Sequence, residues 1–178
     1  GGRSFAEGYA TLILTKILTP FPSSYVDLQS PAGAGFSVVA YNYDGEVYAS
    51  DEARMLAEMN DTSFRLGNVL DNSYEQILFG ERMQAIAAAA CNEALAGCAD
   101  CALQSYCGAN PVYHYATQGD MFGNRASSGF CKKNMAINRH IFELIRQGNN
   151  ETEEIFWSWI NQANREEMKL PKAPWLSN

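Results

Sequence analysis

No cysteine occurs before Cys91, no basic run is longer than Lys132-Lys133, and no apolar stretch approaches the roughly 20 residues of a membrane span. Each absence excludes something. With 13 basic residues against 20 acidic ones and a formal net charge of −7, the chain lacks the electrostatic footprint of a nucleic-acid binder. The longest apolar candidate, Leu12 to Leu18, is interrupted by Lys16 and has no small-residue cleavage site, so it does not read as a secretory signal. The expectation is a cytoplasmic protein with neither a nucleic-acid nor a membrane partner. No internal repeat or low-complexity tract is found.

What is present is an ordinary globular composition, 47% hydrophobic and 19% charged over 178 residues. That length allows one domain, or one domain with a helical appendage, and a genuine apolar core. All five cysteines (Cys91, Cys98, Cys101, Cys107 and Cys131) fall within 41 consecutive residues. A secreted disulfide framework would spread an even number of cysteines along the chain. Five clustered ones point to a metal site with one to spare.

Local signals give an α+β organisation: a small β-hairpin, surrounding helices and a cysteine-rich metal-binding loop. Ser4 and Glu7 frame a capping box for a helix over 5–18, which Pro20 and Pro22 end. Residues 21–35 are rich in Pro, Ser and Gly and read as irregular. A strand over 36–42, an Asp44-Gly45 turn and a return over 46–49 make the hairpin. Ser50 caps a short helix to about Met59, Phe64 to Val69 is extended, and Ser73 with Gln76 opens another helix. A helix over 82–95 precedes a glycine-punctuated loop over 97–130. Helices follow over 132–146 and from an Asn150/Glu153 cap to about Lys169, before Pro171 and Pro174. Three segments result: a helix and linker over 1–35, a cluster domain over 36–147, and a terminal helix and tail over 148–178. Ile155, Phe156, Trp159 and Ile160 share one face of that helix, which predicts packing into a core.

The chemistry lies in Cys98-x2-Cys101-x5-Cys107, with Cys131 further on. A two-residue spacer lets both sulfurs turn toward one centre, and a third after five residues closes a knuckle. Cys131, at the start of a helix and beside Lys132 and Lys133, sits where the dipole and the lysines favour a thiolate. Cys91 is either a structural thiol or the alternative fourth ligand. Four thiolates suit zinc and a [4Fe–4S] cluster alike by softness. A lone C-x2-C pair with one near and one remote cysteine favours the cluster, because structural zinc usually shows two paired knuckles. His114 and His140 complete the inventory of ligating side chains; neither is assigned, and no catalytic residue is identified.

Hairpin, short helix, Leu66 to Val69 with a helix, then the knuckle and a late cysteine: this order resembles the SPASM domain. SPASM domains are auxiliary, twitch-like extensions of radical SAM enzymes that modify ribosomally made peptides. The resemblance implies two auxiliary [4Fe–4S] clusters in a full pattern. Here Ser50 stands where a cysteine would follow Gly45, none lies within 29–35, and Pro111 fills the x3 position after Cys107. Those positions belong to the proximal cluster, whereas Cys98, Cys101, Cys107 and Cys131 match the distal set. One cluster is therefore expected, with zinc a substitute in protein prepared in air. The stretch Tyr41 to Met55, with Cys107 to Val112 and Ala116 to Asp120, is similar to the B-type radical SAM maturases of the His-Xaa-Ser system. That implies a catalytic barrel of the same enzyme and a substrate peptide as partners. The C-x3-C-x2-C motif of such a barrel does not occur in this sequence, so no site for S-adenosylmethionine is expected within it. A zinc-knuckle interaction module without a redox role is the alternative function. A thiol redox protein using Cys98 and Cys101 leaves the remaining cysteines unexplained.

Overall fold

A computed structural model of the chain describes residues 5–23 and 25–161. The fold is mixed α+β, with seven α-helices and one three-stranded antiparallel sheet among the described residues. They fall into two compact units, residues 25–136 and a second made of 5–23 with 137–161.

In the larger unit the sheet runs β1 (Ala40–Tyr41), β2 (Glu46–Tyr48) and β3 (Arg65–Asn68), in that order. The Asp44-Gly45 turn closes as expected. Gly45 N–H donates to the Asn42 carbonyl at 3.0 Å, and Glu46 N–H donates to Asp44 Oδ1 at 3.1 Å. The strand expected over 36–42 is cut to two residues. The Gly33 carbonyl accepts from the N–H groups of Phe36, Ser37 and Val38, at 3.0, 2.8 and 3.2 Å, and winds them into a turn. The β-propensity of that stretch is overridden by its local hydrogen bonding. The extended segment after Phe64 becomes the third strand, pairing Glu46 with Asn68 and Val47 with Gly67.

Helix α2 (Asp51–Glu58) is capped by Ser50, whose Oγ accepts from Ala53 N–H at 3.2 Å. Helix α3 (Tyr74–Phe79) opens on the reciprocal Ser73/Gln76 box. Helix α4 (Glu81–Ala90) stops short of the expected 95. Ser30 Oγ accepts from Asn92 N–H at 2.9 Å and draws the chain away, while Leu95 stays buried outside the helix. A fifth helix, α5 (Pro111–Gln118), lies inside the stretch expected to be loop. Its signals are standard ones: Asn110 Oδ1 accepts from Val112 and Tyr113 N–H, proline occupies the first turn, and Gly119 ends it in the left-handed region.

The core of this unit gathers Tyr48, Ala49, Ala53, Phe64, Ile86 and Val112. Phe64 is 1% exposed and meets Tyr115 edge-on at 5.3 Å. Burying such a ring contributes about 2–3 kcal/mol. α5 is thus tied to the sheet by its own Val112 and Tyr115, which is how the chain beyond the knuckle acquires a fixed position.

Helix α6 (Gly129–Gln147) begins three residues before the expected 132. In the smaller unit α1 (Gly8–Leu18) packs against α7 (Asn150–Asn161). The cap of α1 is Glu7, whose carboxylate accepts from Tyr9 and Ala10 N–H, so the helix starts later than the expected residue 5; Ser4 lies outside the described residues. Asn149 rather than Asn150 caps α7, accepting from Glu151 N–H at 2.9 Å. Phe156 is buried, Trp159 and Ile160 are half-buried and Ile155 is exposed, so part of the expected face enters a core. The expected continuation to Lys169 and the two prolines lie outside the described residues. No helix among the described residues is long and apolar enough to cross a membrane.

Candidate metal centre

The knuckle is built from four successive i→i+3 turns. Cys98 N–H donates to the Leu95 carbonyl, Cys101 to Cys98, Gln104 to Cys101 and Cys107 to Gln104, all at 3.0–3.1 Å. Side chains three apart eclipse in such winding, so the spacers of two and five residues place all three cysteines on the same phase. A straight 3₁₀ run at about 2.0 Å per residue would still carry Cys107 about 18 Å from Cys98. The winding is broken instead, and Cys107 lies in the electrostatic field of Cys98, Cys131 and Cys101. Cys98 in turn feels Cys131 and Cys101. Cys91, at the C-terminal end of α4, is not among the charges felt at either.

All five cysteines are half-buried and free of disulfides. Burial pushes the Cys107 thiol up to about 11, only partly offset by a hydrogen bond from the Gly108 backbone. Burial likewise raises Cys98, against the opposing charge of Arg125. Without a metal these two are neutral thiols at pH 7; loading the site releases their protons. No group of three or more Cys, His, Asp or Glu side chains among the described residues is drawn together tightly enough to hold a single ion. Zinc at about 2.3 Å from each sulfur would need tetrahedral thiolates about 3.8 Å apart. A cluster takes one thiolate at each of several irons and tolerates a wider set. Four soft donors that share one field without converging on a point fit a cluster.

The wall behind Cys107 is backbone. Any Cβ at Gly108 would overlap the Asp27 carbonyl, so only glycine lets the chain pass there. Asn92 Nδ2 donates to the Cys107 carbonyl at 3.1 Å, and Asn110 Nδ2 donates to Asp27 Oδ1 at 2.7 Å. Desolvation holds the Asp27 carboxyl above its ordinary range, with the Asn110 hydrogen bond opposing.

Cys131 sits in the first turn of α6, but its amide is not free for a sulfur. It donates to Ser128 Oγ at 3.0 Å, and the Ser128 hydroxyl donates to the Arg125 carbonyl at 2.8 Å. The serine satisfies this amide because α6 starts earlier than the expected 132. Lys133 stands over the Phe130 ring, its nitrogen 5.5 Å from the centroid.

Two residues that the sequence reading did not assign dominate the interior beside the thiols. Arg125 is 3% exposed and His114 1%. Arg125 donates to the carbonyls of Ala89 at 2.9 Å and Asn110 at 3.4 Å, to those of Met121 and Phe122, and to His114 Nδ1. Asp120 and Met121 before it gave no local hint of burial; the Asn110-Pro111 to Gly119 helix signature was the nearest available clue. His140 lies exposed on α6. The open groove of about 370 Å³ beside Phe36, Tyr41, Val69 and Tyr74 contains no cysteine and is separate from this site.

Compared with known proteins, residues 33–102 match the family SPASM, an iron–sulfur cluster-binding domain. No curated protein and no solved structure matches the chain. The matched segment starts before the hairpin and ends just past Cys101, so it takes in the sheet, α2 to α4 and the first half of the knuckle. Such domains typically serve as auxiliary parts of radical SAM enzymes. The likeness to an iron–sulfur cluster-binding domain of the SPASM family is thus confined to residues 33–102 of this chain.

Proposed function

We propose that this chain is the auxiliary cluster-binding part of a radical SAM enzyme that modifies a ribosomally made peptide. In this reading Cys98, Cys101, Cys107 and Cys131 hold one [4Fe–4S] cluster, and Cys91 is a structural thiol. The observation that carries it is the common electrostatic field of those four thiols, which begins inside a segment of iron–sulfur family character. Residues 36–147 make up the cluster domain, flanked by 1–35 and 148–178. The partners are the catalytic barrel of the same enzyme and the substrate peptide. The His-Xaa-Ser affiliation rests on the sequence similarity of Tyr41 to Met55, Cys107 to Val112 and Ala116 to Asp120 alone.

A bound cluster supplies a one-electron redox couple and ties the ligand-bearing turns together. With all four cysteines engaged no iron is left open, so the domain orders the fold, seats the peptide and relays an electron rather than ligating substrate. The chain's own part is to keep water from Cys107, through Gly108 packed on Asp27, and to hold Cys131 in register through the Ser128 cap.

The test is anaerobic reconstitution followed by visible absorbance, iron and sulfide analysis. About four irons and four sulfides per chain are expected. Serine at position 98, 101, 107 or 131 should each abolish or severely reduce loading, while Cys91→Ser should not. A colourless protein carrying one zinc would make the chain an interaction module instead. Normal loading in Cys131→Ser with loss in Cys91→Ser would reassign the fourth ligand.

A further inference from the structure

Arg125 is a buried cation whose hydrogen-bond partners include no carboxylate. A guanidinium in that position is costly unless something negative compensates it. Its donors are taken by four carbonyls and one imidazole nitrogen, which are dipoles and not charges. The ionisable groups that act on it are Cys98 first, then Asp120, then Cys107. Two of the three are thiols of the candidate centre, and in the metal-free protein they are neutral.

The same residue is built into every segment that bears a ligand. Its Nη1 reaches the Asn110 carbonyl, three residues beyond Cys107. Its own carbonyl accepts from Ser128, whose Oγ receives the Cys131 amide. Its neighbour Ala126 faces Gly97, next to Cys98. A Cβ built there would stand 3.2 Å from that of Ala126, and Gly97 has φ +76°. Arg125 is therefore hydrogen-bonded into the chain near Cys107 and Cys131, and its neighbour Ala126 packs on the residue before Cys98.

We propose that Arg125 is the buried counter-cation of the thiolate centre, a positioning residue that raises the reduction potential of the cluster held there. The inference rests on the cluster reading above. Four thiolates give the loaded centre net negative charge, and reduction makes it more negative. A fixed cation a short distance away in a low-dielectric interior stabilises both states, the reduced one more. Hydrogen bonds to carbonyls alone would fix the loop but would not bias the redox couple in this way. That difference makes the role testable apart from folding.

The experiment compares wild type, Arg125→Lys and Arg125→Gln, reconstituted anaerobically, by iron content and by redox titration followed by electron paramagnetic resonance. Arg125→Gln should retain cluster yet lower the reduced-to-oxidised ratio at a fixed potential about tenfold. That is a shift of about 59 mV to more negative potential for a one-electron couple. Arg125→Lys should stay nearer wild type, since it keeps the charge while losing most of the carbonyl contacts. An unchanged midpoint in iron-replete Arg125→Gln overturns the proposal. Should Arg125→Gln fail to fold or to load, Arg125→Lys decides. Iron content and midpoint near wild type support the charge role. A folded Arg125→Lys that also fails to load, or whose midpoint falls by the full tenfold equivalent, overturns it in favour of a carbonyl-binding brace. A wild-type protein that takes up no iron removes the cluster reading itself, and is told apart from these outcomes by the parent sample alone.

Discussion

Arg125 donates from Nη1 to Nδ1 of His114, with both side chains almost closed to solvent. Nε2 has no hydrogen-bond partner among the described residues. The Asn110 carbonyl stands 2.9 Å from Nδ1, within hydrogen-bond reach of the ring, and 3.4 Å from the guanidinium Nη1.

A neutral, buried histidine makes stability depend on pH in a defined direction. Desolvation, with a further contribution from the charge of Arg125, lowers the His114 pKa below its ordinary 6.5, against the Asn110 contact. Above about pH 6.5 the ring is neutral folded and unfolded, and the stability associated with it is complete. As pH falls below that value the unfolded chain takes up a proton that folded His114 refuses, and stability drops by up to about 1.4 kcal/mol per pH unit until the folded pKa is passed. Denaturant midpoints of the wild type should fall as the pH drops below about 6.5, and His114→Gln should show a shallower slope there. Equal slopes would place the titrating group elsewhere.

Gly108 offers a second test, of packing. A methyl group there would overlap the Asp27 carbonyl and crowd that of Gln29, and neither is a side chain that can rotate away. Gly108→Ala should lower stability by about 1–3 kcal/mol, read as a shift in urea midpoint at unchanged m-value. Gly8, in the first turn of α1 with nothing near its missing Cβ, is the control. Its alanine variant should stay within about 0.5 kcal/mol of wild type.

Removing the metal should loosen the knuckle selectively. The turns over 95–107 are held by their own i→i+3 bonds and by Asn92. Residues 111–128 are held by Arg125 and by the packing of Val112 and Tyr115, none of which involves sulfur. A protease of broad specificity should cut metal-depleted protein within 97–107 and spare α5 and the hairpin. An unchanged cleavage pattern after depletion would show that the metal does not order this loop.

Much of the fold was readable because its determinants are short-range. The Ser50 and Ser73/Gln76 caps and the Asp44-Gly45 turn each satisfy their hydrogen bonds within four residues, so the residue types alone specify the geometry. The knuckle belongs with them: its spacers are multiples of three less one, and the i→i+3 winding that aligns the sulfurs is local. The α5 signature was present in Asn110, Pro111 and Gly119, and was hidden by the glycines around it.

What the sequence by itself determined, then, is where the thiols fall, which helices are capped and that a hairpin precedes them. β1 is short for a local reason, the Gly33 carbonyl capturing three amides that would otherwise have extended the strand, and not because of the tertiary structure. Only the tertiary structure decided that Arg125 is buried. That placement depends on carbonyls from Ala89, Asn110, Met121 and Phe122 meeting at one point, and backbone carbonyls are common to every residue. A pattern of side-chain types cannot encode which of them will converge, because convergence is set by the packing of α4 and α5 around Phe64, Ile86 and Val112.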